Sequence, residues 1–368
     1  MTAVEARGRE QILRAAARLT AEGLVARTWG NISLRVSDDQ FLITPSGLAY
    51  ETLREDQLVL VNAADCSWTG AVRPSSEKGI HADVYRLRPE VNAVIHTHQY
   101  WASVAGAAGR ALTGFRHPLL GKRVPCAAYG LPGSRGLRRA VEREEKAWPD
   151  CRAFLLRSHG AVCLGRDMED AFAAARALEE VCGARVRDQL GEIGPLPQPP
   201  ELGTSSRRGD AFVLVRGGVS RIYPVHSASL PPAAALHGAV YRAGAYQYVA
   251  QEAAWEVLAA SGEGRRLRPY LDDLAQMAGA DIRCARPDPR RVTAAVRGRN
   301  AVLLAGAGAL CAGGTEGDVE ALRALLRKGC AAWLYAREEP GSRALGRADA
   351  LAQRLVYQTS YRRKGSAC

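Results

Sequence analysis

The chain carries the same pattern twice, and this restricts the fold more than any other feature. Ala301-Val302-Leu303-Leu304-Ala305-Gly306-Ala307-Gly308-Ala309-Leu310-Cys311-Ala312-Gly313 lines up without a gap on Ala153-Phe154-Leu155-Leu156-Arg157-Ser158-His159-Gly160-Ala161-Val162-Cys163-Leu164-Gly165, and Asp318 falls on Asp170 in the helical pattern that follows. Upstream, His237-Gly238-Ala239-Val240-Tyr241-Arg242 matches His81-Ala82-Asp83-Val84-Tyr85-Arg86, each opening a helix. Self-similarity of this kind predicts one architecture built twice. The 368 residues suffice, since domains usually run about 100 to 200 residues. A stretch with Pro195, Pro197, Pro199, Pro200, Ser205 and Ser206 has linker composition. The expected division is a first domain over 1–190, a linker over 191–208, and a shortened copy over 209–368 that lacks the first helix and a Gly-Asn turn.

Within the first copy, apolar periodicity predicts a helix over 4–22 closed by Gly23, and strands over 32–36 and 41–44. Ile80, Val84 and Leu87 predict a helix over 76–88, capped by Ser75 or Ser76 and stopped by Pro89. A β-branched run predicts a strand over 91–97. Further along come a helix over 101–108, a loop over 113–118, a strand over 123–127, a helix over 137–146, two strands flanking His159, and a long helix over 167–188. Strands and helices so interleaved predict an α/β domain.

The chemistry gathers between Pro74 and His98. Glu77 falls in the first turn of the 76–88 helix, and His96 and His98, two apart on a strand, project from one face. Two neutral imidazoles with a carboxylate nearby suit a divalent metal, and His159, in a His-Gly turn, is the candidate third imidazole. Three turns, Gly30-Asn31, Pro45-Ser46-Gly47 and Ser75-Ser76, offer N–H groups, hydroxyls and an amide suited to a phosphate.

The copy serves as a control. Glu77 falls on Ala233, His159 on Ala307, and the His96/His98 region near Val249 and Gln251, so the ligand set is not demanded by the fold. His81 is kept as His237, which makes it a packed helix histidine rather than a ligand.

The net charge of +12 is spread along the chain, its longest cluster being Arg362-Arg363-Lys364, so a nucleic-acid partner is not expected. Nine cysteines without Cys-x-x-Cys spacing read as reduced thiols rather than a disulfide or zinc framework. Residues 1–22 are charged and amphipathic, unlike a signal peptide, and no apolar run approaches the ~20 residues of a membrane span. A cytoplasmic protein with no membrane partner is the expectation.

Gly-Asn-Ile-Ser at 30–33, Thr-Pro-Ser-Gly at 44–47, Pro-Ser-Ser-Glu at 74–77, His-Thr-His at 96–98 and His159-Gly160 resemble, in order and spacing, the class II aldolase/adducin family. The resemblance covers residues 8–190, and the remainder through the repeat. It implies a three-layer α/β/α fold around a mixed central sheet, here tandemly duplicated. It further implies zinc held by His96, His98 and His159 with Glu77 as fourth ligand and acid/base. Asn31, Ser46, Gly47, Ser75 and Ser76 match the positions that bind the substrate phosphate. The implied activity is reversible retro-aldol cleavage of a ketose 1-phosphate to dihydroxyacetone phosphate and an aldehyde. A pentulose-phosphate 4-epimerase, a metal-dependent decarboxylase and a non-catalytic adducin-like scaffold are the alternatives. Where the aldolases donate a tyrosine to a neighbour's site, this chain has His117 in Thr113-Gly114-Phe115-Arg116-His117-Pro118. The resemblance also implies a homo-oligomer, and two domains per chain suggest a dimer forming a four-domain ring. In that ring the copy could supply a proton donor from Tyr241, Tyr246, Tyr357 or Tyr361.

Overall fold

The computed structural model describes residues 2–25, 29–191, 196 and 198–361; Thr28, Pro195, Pro197 and the Arg362-Arg363-Lys364 cluster lie outside the described residues. Two compact units divide between Gln189 and Leu190.

In the first unit the helices are α1 (Ala3–Ala21), α2 (Lys78–Leu87), α3 (Tyr100–Gly106), α4 (Arg135–Ala147) and α5 (Met168–Leu190). The strands are β1 (Asn31–Arg35), β2 (Gln40–Ile43), β3 (Val59–Asn62), β4 (Ala93–Thr97), β5 (Leu112–His117), β6 (Gly121–Val124), β7 (Cys126–Ala127), β8 (Ala153–Leu156) and β9 (Gly160–Gly165). Seven of them form one sheet in the order β3-β2-β1-β4-β9-β8-β7, antiparallel except for the parallel β7–β8 edge, while β5 and β6 form a separate hairpin. The two-residue period of the strands sorts their side chains between two cores. On one face Ile12, Ala16 and Leu19 of α1 and Phe172 of α5 cover Ile32, Leu34, Leu42 and Ile95. On the other, Ile80 and Val84 of α2 and Leu137 and Val141 of α4 cover Phe41, Ile43, Val94 and Val162. Both faces of the sheet are thus covered, which is why β4, β8 and β9 are buried along their whole length.

The second unit repeats the plan. Its elements are β10 (Thr204–Arg208), β11 (Ala211–Arg216), β12 (Val219–Pro224), α6 (Pro232–Ala243), β13 (Tyr248–Glu252), α7 (Trp255–Gly262), α8 (Asp272–Ala278), β14 (Cys284–Ala285), α9 (Pro289–Val296), β15 (Ala301–Leu304), β16 (Gly308–Gly313), α10 (Glu316–Ala336) and α11 (Arg347–Val356). The order β12-β11-β10-β13-β16-β15-β14 matches the first sheet strand for strand, with the parallel edge again between the last pair. The fold is a tandemly duplicated three-layer α/β/α architecture with mixed sheets.

Three local expectations need correction. Residues 204–208, expected within the linker, form β10 in the middle of the second sheet, because ladder bonds to β11 on one side and β13 on the other outweigh its polar sequence. The 113–118 stretch is strand β5 rather than a loop, paired to β6 through Thr113–Arg123 and His117–Gly121. Helix α2 begins at Lys78, so Glu77 is its N-cap residue, and Ser75 accepts from the Glu77 N–H at 3.2 Å instead of capping the helix.

Candidate metal centre

Strand β4 and the β8–β9 turn bring the three histidines together. His96 pairs with Val162 across the β4–β9 ladder, so the turn carrying His159 lies beside the end of β4 that leads to His98. Gly160 permits the approach, since a Cβ there would sit 2.2 Å from the Thr97 carbonyl oxygen and 3.3 Å from His96 Cε1. Ser158, next to His159, holds a left-handed φ of 62° although it is not glycine. The ligand atoms of His96, His98 and His159 all lie within 4.8 Å of one another, and all three residues are buried.

The hydrogen bonds fix what these rings present. His96 must donate from Nδ1 to the Ala161 carbonyl at 2.8 Å, which leaves a lone pair on Nε2. That Nε2 lies 3.2 Å from His98 Nε2 and 3.2 Å from Glu77 Oε2, while His159 Nε2 lies 2.9 Å from Glu77 Oε1. With Nε2 unprotonated on all three rings these atoms would crowd as acceptors, an arrangement that a cation among them would relieve. Four N and O donors about 3.3 Å apart are what a tetrahedral ion with Zn–N bonds of about 2.05 Å requires, so the donor set fits a divalent metal. Burial pushes the Glu77 carboxyl upward, but His96 and His159 beside it outweigh burial and hold its pKa well below the usual range.

Two of the three turns expected to hold a phosphate are tied together beside the same glutamate. Pro45 and Pro74 form a β-bridge, Ser46 N–H donates to the Arg73 carbonyl at 3.0 Å, and Ser75 N–H donates to the Thr44 carbonyl at 3.1 Å. The Ser46-Gly47 and Ser75-Ser76 turns therefore run side by side. Of these residues only Ser76 lines the adjacent cavity of about 150 Å³, which Glu77, Lys78, Ser134, Arg135 and Arg138 also line. Asn31 is engaged elsewhere. Its Nδ2 donates to Glu77 Oε2 at 3.0 Å, which leaves one amide hydrogen for any other partner.

The sequence makes His81 a packed helix histidine, whereas in the structure both of its ring nitrogens have polar partners. His81 Nε2 meets Asn31 Oδ1, and its Nδ1 lies 2.6 Å from Ser33 Oγ, which lies 2.6 Å from the Tyr85 hydroxyl. Burial lowers the His81 pKa to about 3, so the ring is neutral. The signal was present in the Asn31 and Ser33 alternation on β1, but the partner lies fifty residues away and needed the sheet register to find it.

His117 is not brought to this cluster by any contact among the described residues; its Nδ1 accepts from the Leu119 N–H at 3.2 Å at the end of β5. In the second unit, Tyr241 is buried on Ser205 with its pKa pushed up to about 12, and the Tyr246 hydroxyl donates to the Arg299 carbonyl. Tyr357 lies in the short π turn after α11, and the Tyr361 side chain is outside the described residues. Tyr241 is therefore a core residue, not a donor. The copy has no counterpart of the metal cluster among the described residues. The β13–β16 ladder pairs Gln251 with Leu310, so His96 corresponds to Gln251 and His98 to Ala253, two residues further on than the sequence alignment placed them. Gln251 donates its amide to the Pro200 and Ala307 carbonyls.

Residues 10–186, which carry this cluster, match the family model described as the Class II Aldolase and Adducin N-terminal domain. The chain is 34% identical over 176 residues to 5-methylthioribulose-1-phosphate/5-deoxyribulose-1-phosphate aldolase of Rhodospirillum rubrum, covering 47% of this chain and 77% of the relative. It belongs to the class II aldolase/adducin family. Escherichia coli L-fuculose phosphate aldolase is 32% identical over 172 residues, covering 46% of this chain and 78% of that protein. Among solved structures, an L-fuculose 1-phosphate aldolase aligns over 52% of this chain and 91% of its own, at 26% identity and a TM-score of 0.47. Among the described residues, no helix is long and apolar enough to cross a membrane.

Proposed function

We propose that the first unit is a metal-dependent aldehyde-lyase that cleaves a ketose 1-phosphate reversibly to dihydroxyacetone phosphate and an aldehyde. The observation that carries this reading is the buried cluster in which His96 and His159 Nε2 lie 3.2 and 2.9 Å from the two Glu77 oxygens and His98 Nε2 lies 3.2 Å from His96 Nε2. His96, His98, His159 and Glu77 would hold a zinc ion, which would supply a Lewis acid for the substrate carbonyl. Glu77 is the group placed to move a proton: its carboxylate is ionised and buried, with Oε2 held by Asn31 and Oε1 2.9 Å from His159 Nε2. Ser46, Gly47, Ser75 and Ser76, with the remaining Asn31 hydrogen, orient the phosphate end of the substrate. His117 takes the place of the proton donor that a neighbouring subunit contributes, in an assembly of two chains and four domains. Names among the relatives favour phosphorylated sugars, both being aldolases of such compounds.

A screen of ketose 1-phosphates for released dihydroxyacetone phosphate tests the reading. Release that requires zinc and Glu77 is the expected result. Epimerised pentulose phosphate without carbon–carbon cleavage would instead assign the site to a 4-epimerase, and zinc uptake with no turnover on any phosphate would favour a binding protein.

A further inference from the structure

We propose that His81 is a positioning residue for Glu77, acting through Asn31. The inference rests on Glu77 being the metal-binding and proton-moving group of the site. A carboxylate only accepts, so Asn31 must turn its Nδ2 toward Oε2, at 3.0 Å, and its Oδ1 the other way. Oδ1 then faces His81 Nε2, which must carry the ring proton. In a neutral ring Nδ1 is left as acceptor, so Ser33 donates to it at 2.6 Å and accepts from the Tyr85 hydroxyl at 2.6 Å. The donor direction is thereby fixed at every step from Tyr85 through Ser33, His81 and Asn31 to Glu77. A flip of the Asn31 amide would set oxygen against carboxylate and amine against an N–H, so the network holds the amide one way and Glu77 with it.

The second unit separates this role from packing. Ser205, His237 and Tyr241 reproduce the inner half of the network, with Ser205 Oγ 2.7 Å from His237 Nδ1 and 2.8 Å from the Tyr241 hydroxyl. The outer half is gone. By the ladder register Asn31 corresponds to Gly203, since the Gln251 N–H donates to the Gly203 carbonyl, and Glu77 corresponds to Ala233. A role in packing alone would make His81 and His237 equivalent. A positioning role adds, for His81 only, an effect at the metal centre.

The test compares full-length wild type with His81→Leu, His81→Gln and His237→Leu for thermal midpoint and for zinc affinity by chelator competition. In addition, ¹⁵N NMR of the metal-free wild type reads the His81 tautomer. We expect the Nε2–H tautomer, and a zinc affinity about tenfold weaker in His81→Leu, as when an outer partner of a ligand is lost, but within about threefold of wild type in His81→Gln, whose amide can still donate to Asn31. His237→Leu should lower the midpoint as far as His81→Leu does and leave zinc affinity unchanged. Equal zinc affinity in His81→Leu and wild type, or an Nδ1–H tautomer, overturns the proposal. Should His81→Leu not fold, His81→Gln and the tautomer decide it. A wild-type chain that takes up no zinc defeats the metalloenzyme reading, and the relay is then judged on the tautomer alone.

Discussion

The two units share one sheet order, one parallel edge and one buried Ser-His-Tyr network, yet among the described residues only the first gathers ligands. What both keep is what the fold requires. Phe41 packs at a tilt against Tyr85, 5.1 Å between ring centroids, as Phe212 does against Tyr241 at 5.3 Å, so the hydroxyl network and its aromatic pair form part of the shared core. What only the first keeps is costly to a fold. Between β2 and β3 it carries the long connection that holds Pro45-Ser46-Gly47, where the second unit turns from β11 to β12 with Gly217-Gly218, both at positive φ. In the turn before the third histidine it holds Ser158 at a φ of 62°, where the second unit has Gly306 at 72°. Released from the site, the copy has taken the unstrained residue.

The largest way to break this comparison is at the ligands. His96→Ala should lower turnover at least about a thousandfold, since several kcal/mol of charge stabilisation go with the ion; the matching change Gln251→Ala should leave turnover at the wild-type level. Steady-state rates on the active ketose phosphate would measure both, and comparable losses in the two variants would mean that the second unit is not catalytically silent.

Glu77→Gln sharpens the roles within the first unit. Three imidazoles can hold zinc without it, whereas an amide cannot take up and return a proton, so turnover should fall by about 10² to 10⁴ while most of the metal stays. Metal content and rate falling in parallel would make Glu77 mainly a ligand.

Acid should act on both units alike. Burial lowers His81 to about 3 and His237 to about 4, both below the ordinary 6.5. The unfolded chain therefore binds more protons than the folded one as pH falls below 6.5; the stability these neutral rings contribute is complete above 6.5 and is lost progressively down to each folded value. For His237 this amounts to about 3 kcal/mol over the window. Urea titrations between pH 7 and pH 4 should show a shallower decline in His237→Asn, and an unchanged slope would mean the ring is charged in the fold.

The smallest effect is the mirrored turn pair. Gly306→Ser should destabilise by about 1 kcal/mol, the left-handed cost less the gain in chain stiffness, and Ser158→Gly should stabilise slightly or be neutral. Thermal midpoints moving in the same direction for both would remove the strain argument.

Much of this was readable before the fold was known, because the signals are local. The helix over 76–88 follows from Ile80, Val84 and Leu87, and the shared face of His96 and His98 follows from the period of a strand. The repeat itself separated ligands from framework. What the sequence withheld depends on partners distant along the chain. Strand β10 is too polar to declare itself and exists because strands bond it on both sides. The β5–β6 hairpin has a register shift between Thr113 and His117, which blurs its alternation. Glu77 occupies the N-cap position instead of lying within the helix, its side chain turned to Asn31 and His159 rather than to the helix N–H groups. The tie from Glu77 through Asn31 to His81 needs the register of β1 on β4 and the seat of α2 above them, and no spacing in the sequence encodes either.

The contrast between the units is tested most directly by metal content. Wild-type chain, dialysed free of loose ions, should carry one zinc or other divalent ion per chain, and His96→Ala should carry none, because among the described residues the candidate ligand cluster lies in the first unit. Two firmly held ions per chain, or one ion retained in His96→Ala, would contradict the account.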